Sequence, residues 1–211
     1  MAEKKEGIIV ILSSPSGAGK TTLVKKISSR KNYKISISHT TRKPRINERN
    51  GRDYFFVKNN EFKKLIKNKK FLEYAMVFNN YYGSLKETVI DKLKKGENVI
   101  FDIDWQGTKK IKNKKLKYKI ITIFILPPSK KELFKRLLKR DQRDKKTATE
   151  RMKQFKDDVK HWSDYDFTVI NDQVEKCYKS IINFINLQKK KKYTFKYDRK
   201  FIKNHINTLT N

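Results

Sequence analysis

A loop of small residues near the start of the chain has the composition and spacing of a phosphate-binding loop. It reads Ser14-Pro-Ser-Gly-Ala-Gly-Lys20-Thr21, follows the apolar run from Ile8 to Leu12 and opens a segment with helical spacing of apolar residues. Glycines let successive backbone N–H groups surround phosphate oxygens, and the helix N-terminus adds partial positive charge. In such loops the lysine reaches the β- and γ-phosphates, and the hydroxyl after it binds Mg²⁺. The pattern therefore predicts a site for a nucleoside triphosphate.

One position departs from the usual pattern, because Ser14 stands where a first glycine is expected. Serine is small, so the loop can still close if the backbone there avoids positive φ. The alternative is a small-residue loop that precedes a helix and happens to contain Gly-Lys-Thr, but its place after a buried strand favours phosphate binding. The predicted ATP-binding residues of this segment are Ser14, Pro15, Ser16, Gly17, Ala18, Gly19, Lys20, Thr21 and Thr22.

A second group of polar residues follows downstream and suits the binding of another phosphate. Arg42 and Arg45 lie in Ser38-His-Thr-Thr-Arg-Lys-Pro-Arg, and Tyr54 and Tyr82 follow in later blocks. Guanidinium groups and phenolic hydroxyls bind phosphate through bidentate and charge-assisted hydrogen bonds. Taken singly, the arginines could equally be solvated loop cations and the tyrosines core aromatics with wet hydroxyls.

Two further residues of this region could recognise the edge of a base. Glu73 lies in Phe71-Leu-Glu-Tyr-Ala, and Ser38 precedes the arginines. A carboxylate accepts hydrogen bonds from N–H groups, and guanine offers such donors at N1 and N2 where adenine does not. The alternative for Glu73 is an ordinary surface acid.

These blocks, in this order and downstream of a phosphate loop, resemble the guanylate kinase family over about residues 6 to 187. The resemblance implies Mg²⁺-dependent transfer of the γ-phosphoryl group of ATP to GMP, giving ADP and GDP in purine nucleotide metabolism. It also implies the following GMP-binding residues: Arg42, Arg45, Tyr54 and Tyr82 at the phosphate, Ser38, Glu73 and Ser84 at the guanine, and Asp104 close by. By the same resemblance, Thr21 would bind Mg²⁺ directly, Asp102 would act on it through water, and Asn171 and Asp172 would lie beside the adenine of ATP.

Arginines also cluster in the region that forms a lid in the resembled family. Arg136 and Arg140 are four residues apart and so project from one helix face, while Arg143 and Arg151 bracket a polar segment. The resemblance implies that Arg136, Arg140 and Arg151 close over the phosphates and act with Lys20 as the catalytic cations. Phosphoryl transfer needs positioning and charge neutralisation, so the predicted mechanism is direct in-line attack with no nucleophilic side chain. The alternative is a basic helix end.

Strands that alternate with helices predict an α/β fold, a P-loop parallel sheet flanked by helices. A small mixed GMP-binding insert and a helical lid complete the predicted architecture. The predicted core is 6–37, 85–135 and 165–187, with the insert at about 38–84, the lid at about 136–152 and a basic tail at 188–211. Among the predicted elements are helices Thr149 to Ser163 and Val174 to Gln188 and a turn at Asn79 and Asn80. The tail is expected to be a frayed extension, as chain ends usually are, and the alternative is a docking arm.

The composition sets limits but names no partner. Fifty-three Lys and Arg against 22 Asp and Glu give a net charge of +31, yet the lysines are spread along the chain and indicate compositional bias. No apolar run has the length of a membrane-spanning segment, so we expect a cytoplasmic protein with no membrane partner. The single cysteine, Cys177, lies on an apolar helical rhythm and is expected to be a buried structural thiol.

The expected partners are nucleotides, and two rival interpretations of the chain are a non-catalytic binding module and a nucleic-acid-binding protein. We expect ATP and GMP as substrates and no specific nucleic acid, and the sequence allows a homo-oligomer. A guanylate-kinase-like module that binds proteins without catalysis would retain the fold, but it should have lost its phosphate loop or lid cations. Lys20, Thr21, Asp102 and the arginines are all present, which disfavours this alternative. A basic nucleic-acid-binding protein would have only the net charge in its favour, because the chain contains no recognisable nucleic-acid module.

Overall fold

The computed structural model describes residues 6–140, 144–190 and 198–210, which divide into two compact units. One unit comprises Met1–Val10 and Asn32–Ile120, and the other comprises Ile11–Lys31 and Ile121–Asn211. The strands are β1 (Ile9–Ser13), β2 (Lys34–Ser36), β3 (His39–Thr40), β4 (Phe55–Phe56), β5 (Phe71–Val77), β6 (Asn80–Leu85), β7 (Val99–Asp102), β8 (Ile120–Leu126) and β9 (Phe167–Ile170). The α-helices are α1 (Lys20–Lys31), α2 (Asn59–Lys67), α3 (Lys86–Lys94), α4 (Trp105–Asn113), α5 (Lys130–Arg140), α6 (Lys145–Val159), α7 (Val174–Lys189) and α8 (Arg199–Thr210).

The predicted parallel sheet is confirmed. Its strand order is β2-β7-β1-β8-β9, and β2 pairs with β7, and β8 with β9, in parallel register. β1 and β8 consist almost entirely of buried Ile, Val, Leu and Phe, which is typical of strands covered on both faces. The chain therefore has the α/β architecture expected from its alternation of strands and helices.

A second, mixed sheet lies in the first unit, within the segment predicted as an insert. Its order is β4-β3-β6-β5, with β3 parallel to β4 and antiparallel to β6. β5 and β6 form a hairpin whose turn residues, Phe78 and Asn79, have φ of 48° and 58°. Two positive φ values are what a tight hairpin turn requires, so the turn lies one residue earlier than predicted.

Two helices differ from the sequence prediction. α6 begins at Lys145 and not at Thr149, because the side chain of Asp144 accepts hydrogen bonds from the N–H groups of Lys146 and Thr147. α4 was not predicted at all; it is rich in lysine and is started by Asp104, whose side chain accepts from the Gly107 N–H. α7 matches its prediction, and Cys177 is buried on its inner face, as expected. This burial raises the pKa of the thiol to about 12.

The expected frayed tail is wrong for residues 199–210, which form α8. Asp198 accepts from the Phe201 N–H at the helix start, and Ile202, Ile206 and Leu209 follow on one buried face. These three side chains belong to an apolar cluster of the second unit that also contains residues of α5 and α6. The burial of that face explains why this end of the chain is ordered as a helix. Residues 191–197, which hold part of the predicted tail, lie outside the described residues.

Among the described residues, no helix combines the length and the apolar character needed to cross a membrane.

The buried face of α8 predicts a measurable contribution to stability. Leu209→Ala removes a side chain that is 1% exposed, and such truncations cost about 2 to 5 kcal/mol in the free energy of unfolding. Lys203→Ala on the exposed face of the same helix should change it by less than about 0.5 kcal/mol. Urea unfolding followed by circular dichroism measures both variants. Equal midpoints for Leu209→Ala and the unchanged protein would mean that α8 is not docked in solution.

Candidate functional site

The phosphate loop has the backbone conformation that its glycines allow. Gly17 and Gly19 have φ of 87° and 99°, in the region that other residues rarely adopt. Ser14 does not adopt positive φ, so serine replaces the expected first glycine without backbone strain. Lys20 begins α1 and Thr21 follows it, as the motif predicts.

Neighbouring side chains pack so closely on the loop that a Cβ atom has no room at either glycine. A Cβ on Gly17 would lie 3.0 Å from side-chain carbons of Leu133 and Leu137 in α5. A Cβ on Gly19 would lie 2.2 Å from Nδ2 of Asn171. These glycines are therefore needed both for their φ values and for the close approach of α5 and Asn171.

The Asn171 side chain is hydrogen-bonded to the backbone of the phosphate loop. Its side chain is 1% exposed, and Nδ2 donates a hydrogen bond of 2.8 Å to the carbonyl oxygen of Ala18. The family resemblance implies that Asn171 lies beside adenine, whereas its amide in the structure contacts the phosphate loop. Asp172 is exposed, and its Oδ1 accepts a hydrogen bond from the Gln173 N–H.

The three arginines predicted for the lid contact either the phosphate loop or Asn171, which is hydrogen-bonded to that loop. Nη1 of Arg140 and Nη1 of Arg151 donate to the same atom, Oγ of Ser16, at 3.2 and 3.0 Å. Arg136 donates from both terminal nitrogens to the Asn171 carbonyl oxygen at 3.2 Å, and its Nε donates to Glu132. Two guanidinium groups therefore meet at one residue of the phosphate loop, an arrangement that suits a polyanion. Arg143 lies outside the described residues.

In the first unit, three predicted guanine contacts form one buried hydrogen-bond chain. Ser84 Oγ donates to Glu73 Oε1 at 2.7 Å, and the hydroxyls of Ser38 and Ser84 are 3.3 Å apart. All three side chains are buried, and Glu73 is 4% exposed. The adjacent strands β5 and β6 hold Glu73 opposite Ser84 in register.

Burial makes the Glu73 carboxyl group unusually easy to protonate. Desolvation raises its pKa to about 7, against the opposing effect of the Ser84 hydrogen bond, and the charge of Asp104 raises it further. Gly107 provides the space, since a Cβ there would lie 2.7 Å from Glu73 Oε2. A carboxylate in this position gains from any ligand that brings N–H donors.

The predicted phosphate contacts of the first unit also lie together. The Arg42 guanidinium lies 5.4 Å from the centre of the Tyr54 ring, and the Tyr54 and Tyr82 rings are 6.0 Å apart. Both Arg42 and Arg45 form ion pairs with Glu48, at 2.9 and 3.1 Å. Burial alone would raise the pKa of Glu48, but the Arg45 N–H and the Arg42 guanidinium hold it below its usual value.

Three features of the site were not predicted from the sequence: the ion pairs of Glu48, the space that Gly107 leaves for Glu73, and the meeting of two arginines at Ser16. Glu48 stands three residues after Arg45 and six after Arg42, so the signal for a local ion pair was present in the spacing. The contacts of Gly107 and Ser16 depend on residues distant in the chain, which no local pattern reveals.

The two residues predicted to act on a metal ion lie in different units, and each offers oxygen atoms. Thr21 offers a hydroxyl at the start of α1, and Asp102 offers a carboxylate at the end of β7. Among the described residues, no group of three or more His, Cys, Asp or Glu side chains could hold a metal ion. Oxygen donors in small number fit Mg²⁺, which keeps several waters and binds largely through substrate phosphates.

Comparison with known proteins gives one family. The guanylate kinase family model matches residues 6–188. The chain is 45% identical over 196 residues to a guanylate kinase of Rickettsia prowazekii, covering 92% of this chain and 98% of the relative. It is 47% identical over 173 residues to one from Blochmanniella floridana, covering 81% of each. A crystal structure of guanylate kinase from Anaplasma phagocytophilum aligns with a TM-score of 0.67 at 33% identity, covering 88% of this chain and 87% of that one. The chain belongs to the guanylate kinase family.

Proposed function

We propose that this protein is an ATP:GMP phosphotransferase that transfers the γ-phosphoryl group of ATP to GMP with Mg²⁺. The observation that carries the choice of acceptor is the buried Glu73–Ser84–Ser38 chain, which lies in the same unit as the Arg42 and Arg45 pair. A nucleoside monophosphate has both a base edge and a phosphate. This unit contains a hydrogen-bond acceptor for the first and cations for the second.

The second unit supplies the groups suited to ATP. The loop from Ser14 to Thr21 would bind the phosphates through its N–H groups and Lys20, and Thr22 follows in α1. Arg140 and Arg151 lie at Ser16 and would neutralise charge that develops during transfer. Arg136 donates to the Asn171 carbonyl oxygen and to Glu132. It would therefore act either on the phosphates directly or through the phosphate loop, to which the Asn171 side chain is hydrogen-bonded.

The acceptor groups favour guanine for a physical reason. Ionised Glu73 accepts hydrogen bonds, and guanine offers N–H donors at N1 and at its exocyclic amine. An adenine would place an acceptor, its N1, where the carboxylate requires a donor. A buried polar group left without a partner costs about 1 to 3 kcal/mol, which is enough to discriminate between bases.

The reaction then needs no covalent intermediate on the protein. A phosphate oxygen of GMP attacks the γ-phosphorus in line with the departing ADP oxygen, the P–O bond to ADP breaks, and ADP leaves. Arginines and Lys20 stabilise the transferred group, and water is excluded when the acceptor and lid segments close. Mg²⁺, held by Thr21 and through water by Asp102, would neutralise the phosphate charge when bound.

An assay with a panel of four nucleoside monophosphates as phosphoryl acceptors tests this function directly. ADP formation from ATP and Mg²⁺ is measured with a coupled assay and with GMP, AMP, CMP or UMP as acceptor. We expect rapid turnover with GMP alone. Folded protein without turnover on any acceptor would instead support a non-catalytic binding module.

The cytoplasmic location and the homo-oligomer remain predictions.

Lys20 is predicted to be essential for transfer and dispensable for folding. Lys20→Ala should lower turnover by about 10³ or more, because it removes a cation from the β- and γ-phosphates. The matched control is Lys31→Ala at the exposed end of the same helix, which should retain turnover. Circular dichroism establishes that both variants fold. Near-normal turnover of Lys20→Ala would refute the role of Lys20.

Glu73→Gln is predicted to damage the use of GMP more than that of ATP. The glutamine amide presents donors toward guanine donors, so KM for GMP should rise about tenfold or more, while the affinity for an ATP analogue stays within about twofold. Glu87→Gln, on the exposed face of α3, is the control. Equal losses toward the two nucleotides would remove Glu73 from base recognition.

A further inference from the structure

We propose that α8 is a positioning element that holds the lid arginines at the phosphate loop; this inference rests on the proposed function. α8 lies beyond residue 188, where the match to the family model ends. Its apolar face is part of the cluster that also buries the inner faces of α5 and α6. Those two helices carry Arg136, Arg140 and Arg151.

α5 transmits the packing of α8 to the loop through two leucines. Leu133 and Leu137 are fully buried in the cluster that includes Ile202, Ile206 and Leu209. The same leucines lie so close to Gly17 that a Cβ there would meet them at 3.0 Å. One surface of α5 is therefore shared between the cluster and the phosphate loop.

The arginines of α5 lie beside these leucines on the same helix. Arg136 follows Leu133 by three residues, and Arg140 follows Leu137 by three, so each arginine neighbours a leucine one turn away. Arg140 reaches Ser16 and Arg136 reaches Asn171. A rotation or shift of α5 that disturbed the leucines would move both guanidinium groups.

α6 also links the apolar cluster to the phosphate loop. Ala148, Phe155 and Val159 are buried in the cluster, and Arg151 lies one turn after Ala148. Its Nη1 donates to Ser16 Oγ at 3.0 Å. The cluster thus sets the position of both arginines that meet at Ser16.

Polar contacts fasten α8 to the chain on either side of the two lid helices. His205 Nε2 lies 2.9 Å from the carbonyl oxygen of Pro127, in the segment that leads from β8 into α5. Arg199 donates to the Ser163 carbonyl oxygen at 3.0 Å and lies 5.7 Å from the centre of the Trp162 ring, in the turn after α6. α8 therefore bridges the beginning of α5 and the end of α6, which limits how these helices can move apart.

Loosening α8 should act on the ATP half of the reaction. Misplacement of a charge-neutralising group by about 1 Å can cost up to about 10²-fold in rate. Leu209→Ala should therefore lower kcat about tenfold and raise KM for ATP, while KM for GMP stays within about twofold. Leu209→Met, which conserves volume, should restore both values, and Lys203→Ala on the exposed face should leave them unchanged.

The experiment combines kinetics with hydrogen–deuterium exchange on the full chain, at a temperature where circular dichroism shows each variant folded. We expect Leu209→Ala to exchange at least severalfold faster in residues 14–20 and in α5, with β5 and β6 unchanged. If that variant fails to fold, Ile206→Val, which removes one methyl group, takes its place with the same expectation in smaller measure.

Normal kinetic constants together with unchanged exchange in the phosphate loop would overturn the proposal and leave α8 a purely stabilising helix. An equal rise of KM for both nucleotides would overturn it as well. The exchange measurement does not depend on turnover. An unchanged protein that transfers no phosphate to GMP would refute the proposed function, whereas the response of residues 14–20 would still test the role of α8.

Discussion

The charged groups proposed to bind nucleotides already have hydrogen-bonding partners within the protein, and this arrangement recurs in both units. In the first unit, Arg42 and Arg45 share the carboxylate of Glu48, and Glu73 is held by Ser84. In the second, Arg140 and Arg151 share the Ser16 hydroxyl. Each partner satisfies a charged group through a hydrogen bond that a ligand with a stronger contact can replace.

Burial makes ionisation of the Glu73 carboxyl group costly to the free energy of unfolding. Its pKa is about 7 in the folded protein and 4.5 for an ordinary glutamate, so the folded state retains a proton that the unfolded state has already released. The free energy of unfolding therefore falls as pH rises between these two values, by roughly 3 kcal/mol for this group alone. Binding of a base with N–H donors would recover much of that loss, which couples the stability of the acceptor unit to the occupancy of its site.

Local sequence patterns were sufficient for the elements whose chemistry is local. The phosphate loop, the parallel strands β1 and β8, and α7 were all predictable, because small residues, continuous apolar runs and helical spacing each have one dominant structural meaning. α4 escaped prediction because its lysine-rich sequence contains few apolar residues. α8 does have a helical signal, because Ile202, Ile206 and Leu209 follow the spacing of one helix face, but it lies directly after a strongly basic run and was not predicted. Capping by Asp104 and Asp198 determines where the two helices begin.

The contacts that organise the candidate site were harder to predict than its residues. The phosphate-loop motif predicted Gly17, and the family resemblance predicted roles for Arg140 and Glu73, but neither predicted that Leu133 and Leu137 would cover Gly17 or that Gly107 would make room for Glu73. Asn171 shows the same limit, since its link to Ala18 spans 153 positions in the chain. Contacts over such separations follow from the packing of whole elements and have no signature in a short segment of sequence.

The choice of GMP as acceptor depends most directly on Glu73 being the buried group that recognises the base. Carbon-13 NMR of the Glu73 side-chain carboxyl carbon, titrated from pH 4 to pH 9 with and without saturating GMP, measures its pKa. Glu73→Gln identifies the resonance. The account predicts a midpoint near pH 7 in the free protein and a clear fall when GMP binds, because guanine N–H groups stabilise the ionised form. A midpoint near 4.5 in the free protein, or one that GMP leaves unchanged, would contradict it.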